Sequence, residues 1–156
     1  GLMYIKKERM LDIDTKSSKG PPGNDDINNR SQTGTMNLAA VMAVKDALQF
    51  VGAIGIKHID RRFKALRDQW VKEFLDDDRV DILNPEDERM HAGLTSFRIK
   101  AHNDARALGR TLLRDYGINT AAIPELNGIR VAPGLYSSKE DMDALAVAIK
   151  DIAGKL

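Results

Sequence analysis

Between Asp12 and Thr35 the chain carries Lys19, Gly20, Pro21, Pro22, Gly23 and a run of Asn and Asp, with almost nothing apolar to bury. Glycine and proline punctuate turns, so this stretch reads as one long loop. A loop of more than about 20 residues inside a compact domain argues that the domain is incomplete or that the loop serves something outside it. The opening residues point the same way. Leu2, Met3, Tyr4 and Ile5 read as a strand-like segment directly after Gly1, with no leader or cap before it. The expectation is a C-terminal portion of a larger α/β protein that begins in mid-structure.

After the loop the apolar spacing becomes helical. From Asn37 to Gly55, Leu38, Val41, Met42, Val44, Leu48 and Val51 cover more than one stripe, which predicts a helix that needs burial on most sides. Ile56, Ile59, Phe63, Leu66, Trp70 and Phe74 then recur at steps of three and four, the pattern of an amphipathic helix of about five turns. Val80 and Ile82 alternate with Asp81, and Phe97, Ile99 and Ala101 alternate with Arg98 and Lys100, predicting two half-buried strands. Asn103 or Asp104 caps a helix that carries Ala105, Leu108, Leu112 and Tyr116 on one side and stops at Gly117. Two short strands follow, near 119–123 and 129–132. A last helix is announced by Ser137 and Ser138, with Glu140 and Asp141 three residues on, and buries Met142, Leu145, Ile149 and Ile152. From residue 56 the order predicts a small, largely antiparallel sheet covered on one face by helices.

Composition narrows the partners. Twenty-four Lys and Arg against 23 Asp and Glu leave a charge of +1 with both signs interspersed, so no nucleic-acid face is expected. The absence of cysteine excludes a disulfide framework, a thiolate metal site and a cysteine nucleophile within these residues, and it suits a cytoplasmic setting. No apolar run reaches the roughly 20 residues needed to span a bilayer, and no membrane partner is expected. The sequon at Asn29 to Ser31 is short enough to arise by chance.

Metal and phosphate-loop motifs fail on their details. Asn24, Asp26 and Asn28 have the spacing of a calcium loop, but Asn29 replaces the turn glycine and Thr35 the bidentate Glu. Gly20 and Gly23 lack the following Gly-Lys-Ser/Thr of a P-loop. His58, His91 and His102 lie far apart without ligand spacing, and no metal site is expected.

Two places retain a functional alternative. Gly34 and Thr35 precede a helix, where free backbone N–H groups and the dipole attract phosphate, although spacing alone favours a plain helix cap by Thr35 or Asn37. Arg130 lies between Ile129 and Val131, so alternation turns its guanidinium away from the face those residues bury. Its planar fork suits a carboxylate, although pattern alone favours a solvated surface arginine.

Three segments in order resemble the class V aminotransferase family of pyridoxal-phosphate enzymes, the branch with isopenicillin-N epimerase and the cysteine desulfurases. GLMYIKKERM is similar to the segment shortly after that family's cofactor lysine. TGTMNLAAVMAVKDALQFV resembles its Gly-Thr turn and long helix, and IRVAPGLYSSKEDMDALAVAI its arginine strand, Tyr-Asn-Thr-like turn and acidic helix start. Ser137 stands where the family has Asn in that turn.

The resemblance implies an α/β fold with residues 1–55 as the tail of a large cofactor-binding domain and 56–156 as the small C-terminal domain. It implies pyridoxal 5'-phosphate as cofactor, an amino-acid substrate, and a homodimer. Gly34 and Thr35 are expected at the cofactor phosphate of the neighbouring subunit, and Arg130 at the substrate α-carboxylate. The lysine that forms the Schiff base is expected upstream of Gly1, in a partner portion of the same enzyme, so no catalytic residue is expected in this chain. Transamination, epimerisation and carbon–sulfur lysis all remain open, and the missing cysteine weighs against desulfuration. The competing function is a free-standing, non-catalytic α/β interaction domain.

Overall fold

The computed structural model describes residues 4–12, 34–85 and 87–155, so most of the long loop, the sequon at Asn29, the calcium-like spacing at Asn24 to Asn28, and Leu2 and Met3 lie outside the described residues. The chain divides between Phe50 and Val51 into two compact units.

In the first unit, Tyr4 to Lys6 form no strand, contrary to the strand-like pattern, and Lys7–Asp12 follows as a 3-10 helix. Helix α1 spans Leu38–Ile54. Its first turn is capped by Asn37, whose Oδ1 accepts from the Ala40 N–H at 3.0 Å. The expected burial is not found, because α1 has no buried residue, and Leu38, Met42 and Leu48 are each more than 60% exposed. Apolar periodicity predicts that a helix has a face to hide and does not supply what hides it.

The second unit starts at Val51, in the last turn of α1, and Gly55, with φ 87°, separates α1 from α2, Ile56–Val71. A residue with a Cβ would be strained in that conformation. A 3-10 turn at Lys72–Phe74 extends α2. Four strands follow, β1 Val80–Ile82, β2 Thr95–Ile99, β3 Ala121–Ile123 and β4 Gly128–Val131. They form one sheet in the order β1-β2-β4-β3, and every neighbouring pair is antiparallel. Helix α3, Ala105–Tyr116, connects β2 to β3, and α4, Lys139–Gly154, follows β4. The predicted antiparallel sheet with helical cover is therefore present, with β2 starting two residues earlier than its apolar alternation marks.

The caps show why the elements stop where they do. Asp104, one of the two candidates, accepts from the N–H groups of Arg106 and Ala107, and Gly117 ends α3 in the left-handed region at φ 69°. At α4 a capping box joins Ser138 and Asp141, and neither Ser137 nor Glu140 takes part in it. Ser137 instead closes the preceding turn, with its hydroxyl accepting from the Gly134 N–H at 3.0 Å.

Packing fixes one face of the sheet. Phe97, Ile99, Ile129 and Val131 turn towards Leu66, Trp70, Leu108, Leu112, Leu145 and Ile149 from the helices, forming one core. Trp70 is fully buried and meets Phe97 and Phe74 edge-on, at centroid distances of 5.8 and 6.2 Å. Before β1, the Arg79 guanidinium grips Asp77 through both carboxylate oxygens and lowers its pKa to about 2.

Candidate functional site

The opposite face of the sheet is polar. Residues one position out of phase with the core face point there: Asp81 on β1, Ser96 and Arg98 on β2, and Arg130 on β4. Register brings them into two rows. Asp81 lies opposite Arg98, while Ser96 lies opposite Arg130, which has Ala121 of β3 on its other side.

The two arginines of this face differ in electrostatic state. The Arg98 Nε donates to Asp81 Oδ2 at 2.7 Å, and the Lys100 ammonium lies 3.3 Å from the other oxygen. The hydrogen bond from Arg98, aided by Lys100, lowers the Asp81 pKa, so Arg98 keeps an ionised partner at neutral pH. Arg130 is exposed and makes no side-chain hydrogen bond or ion pair among the described residues. Arginines from α2 are also committed elsewhere: Arg62 donates to the Ser137 carbonyl at 2.7 Å, and Arg67 to the Thr95 hydroxyl at 3.2 Å. Arg130 is thus a guanidinium held by a rigid strand, with its donors unused and no carboxylate to neutralise it. Such a group is suited to a planar anion.

The fork of Arg130 points as strand alternation predicts, away from Ile129 and Val131, which are 0% and 6% exposed. Sequence reasoning missed Ser96. Its backbone shows how it meets Arg130: the Ser96 carbonyl accepts from the Leu83 N–H at 2.8 Å, and its own N–H donates to Asn84 Oδ1 at 3.0 Å. Both backbone groups are turned towards β1, so Ser96 and Arg130 form a non-hydrogen-bonded cross-strand pair, the kind whose side chains approach more closely, with Cβ atoms about 4.5–5.5 Å apart. No signal in one sequence gives this register.

The other predicted residues fall in the first unit. Gly34 and Thr35 are exposed immediately before α1. With Asn37 as the cap, the Thr35 hydroxyl has no partner among the described residues. A groove of about 690 Å³ runs along β1, lined by Arg67, Asp81, Asn84, His91 and Arg98 among others, and does not include Arg130. Its arginines are paired, so the chemistry favours the neighbouring Arg130 over this groove. Among the described residues no cluster of three or more His, Cys, Asp or Glu is placed to hold a metal, and no single helix is long and apolar enough to cross a membrane.

This chain is similar to known proteins. The family model described as aminotransferase class-V matches residues 12–145. Isopenicillin N epimerase of Streptomyces clavuligerus is 24% identical over 124 residues, which cover 78% of this chain and 31% of that protein. The apo cysteine desulfurase of Thermococcus onnurineus NA1 superposes with a TM-score of 0.70 at 21% identity, covering 82% of this chain and 34% of its own. A C-DES lysine-to-alanine variant with glycine covalently linked to its PLP cofactor gives 0.67 at 19% identity, over 88% and 36%. The chain therefore spans about a third of the length of these relatives.

Proposed function

The chain belongs to the class-V aminotransferase family, and from that premise we propose that it is the C-terminal portion of a pyridoxal-phosphate-dependent enzyme acting on an amino acid, with Arg130 holding the substrate's α-carboxylate. The observation that carries this reading is the uncompensated guanidinium of Arg130 on the open sheet face, beside an Arg98 that is already neutralised. An amino acid always presents a carboxylate, and a bidentate arginine both binds it and fixes its orientation.

Gly34 and Thr35 fit the cofactor's phosphate. The Thr35 hydroxyl is uncommitted because Asn37 performs the capping, and the start of a 17-residue helix adds the positive end of its dipole. When bound, pyridoxal phosphate supplies the electron sink that lets bonds at the amino acid's α-carbon break. The residues of this chain then bind and orient: Thr35 on the phosphate, Arg130 on the carboxylate. In this reading residues 1–55 complete a large cofactor-binding domain, which would account for the exposed apolar surface of α1, and 56–156 form the small domain. The upstream portion supplies the reactive lysine, and the assembly is a cytoplasmic homodimer in which Thr35 serves the partner subunit's cofactor. Relatives named for epimerase and desulfurase activity leave the reaction type open. With no cysteine here, a desulfurase reaction would need its sulfur acceptor elsewhere.

The test is a substrate titration of the complete, cofactor-loaded protein. Arg130→Ala should weaken amino-acid binding by about 1.5–3 kcal/mol, the range for hydrogen bonds to a charged group. Arg130→Lys keeps the charge without the fork and should fall between. Unchanged affinity in Arg130→Ala removes Arg130 from the site.

A further inference from the structure

We propose that Ser96 is a second carboxylate-binding residue, its hydroxyl donating to the same substrate carboxylate that Arg130 holds; this rests on the reading of Arg130 given above. Three observations converge on it. Ser96 is the cross-strand partner of Arg130, in the closely spaced kind of pair, and shares its face of the sheet. It is only 8% exposed, yet its hydroxyl has no hydrogen-bond partner among the described residues. Unlike the fully buried and unpartnered Thr120 Oγ1, the Ser96 hydroxyl keeps solvent-accessible surface, so a group on the open face can reach it and complete the bond. Its backbone, finally, is fixed. The N–H is held by Asn84, whose Nδ2 also donates to the Leu94 carbonyl at 3.1 Å, and the carbonyl is held by Leu83. Asn84 thus ties both ends of the β1–β2 connection and leaves the hydroxyl rotor as the adjustable group of Ser96.

On the other side of Arg130 stands Ala121, and two residues along β4 the position is Gly128, over which the Leu83 side chain lies, 2.9 Å from where a Cβ would stand. Apolar or small residues therefore flank the arginine on its strand and the next, and the polar group beside it is the Ser96 hydroxyl. A carboxylate has about four acceptor sites, and a guanidinium fork uses two. The hydroxyl supplies a third donor from a direction the arginine does not occupy, so the pair distinguishes a carboxylate from a neutral group better than Arg130 alone.

The experiment uses the complete protein loaded with pyridoxal phosphate and the twenty common L-amino acids as probes. The tightest binder to wild type is then compared with its decarboxylated amine by calorimetric titration in wild type, Ser96→Ala and Arg130→Ala. Ser96→Ala should weaken the amino acid about ten-fold or more and leave the amine within about two-fold, with an unchanged melting temperature. Equal weakening of amino acid and amine, or no weakening in Ser96→Ala while Arg130→Ala loses the carboxylate preference, overturns the role of Ser96 and leaves that of Arg130 standing. If Arg130→Ala keeps the preference, or no amino acid binds wild type, the underlying reading fails and the inference with it.

Discussion

The two faces of the four-stranded sheet use the same strands for opposite ends. On the covered face, Phe97, Ile99, Ile129 and Val131 are between 0% and 6% exposed and meet an aromatic pair and the aliphatic stripes of three helices. On the open face, one residue out of phase, stand Asp81, Ser96, Arg98 and Arg130. The first face makes the strands rigid. The second presents polar side chains from those fixed strands, so their spacing is set by the register. On the proposed reading, stability and binding fall to adjacent residues of one strand, Ile129 and Arg130, and should separate cleanly under mutation.

The largest effect is expected on the covered face. Phe97→Ala removes a fully buried ring that packs on Trp70 and lies between Ile82 and Ile129 in the register, and should cost about 3–5 kcal/mol in urea unfolding. Below its melting point the variant should keep amino-acid affinity within about two-fold of wild type. Arg130→Ala should show the reverse, with weakened substrate binding and unfolding changed by less than about 0.5 kcal/mol, since it is exposed and unpaired. A Phe97 variant that lost the carboxylate preference while still folded would break the division between the faces.

Thr35 lies on neither face and serves as the control. Thr35→Ala should weaken cofactor retention by about 1 kcal/mol, the scale of one hydrogen bond, while the preference for carboxylate over amine stays as in wild type. Dialysis against cofactor-free buffer, followed by absorbance, measures the first quantity. Equal retention in the variant and wild type removes Thr35 from the phosphate.

The covered face was legible because burial writes itself into periodicity. Period two at 129–131 fixed which way Arg130 points, and the steps of three and four from Ile56 to Phe74 gave α2 and its buried Trp70. Caps were legible only as pairs of candidates: local chemistry offered Asn103 or Asp104, Ser137 or Ser138, Thr35 or Asn37, and backbone geometry selected the second each time. The partner of Arg130 was not legible. Ser96 sits before the apolar alternation of β2 begins, and its meeting with Arg130 depends on a register between strands separated by the whole of α3. The exposure of α1 escaped for a different reason, since an apolar helix states a need for burial and not its means.

The smallest effect tests why only one arginine of the open face is available. Asp81 and Arg98 are partly exposed, so Asp81→Asn should cost under about 1 kcal/mol of stability. The sign of its pH dependence follows from the lowered pKa. In the folded chain Asp81 gives up its charge only below its ordinary value of about 4, so its contribution is complete above that value and is lost as pH falls through the lowered one. At neutral pH the Arg98 guanidinium therefore stays neutralised in wild type and loses its partner only in the variant. A second unpaired guanidinium one row from Arg130 should attract carboxylates with less orientation. Arg130→Ala should then cost less in the Asp81→Asn background than in wild type, a coupling read from a double-mutant cycle of substrate affinity. The same cost in both backgrounds would mean that Arg98 is beyond the ligand's reach, and that its pairing with Asp81 serves the strands alone.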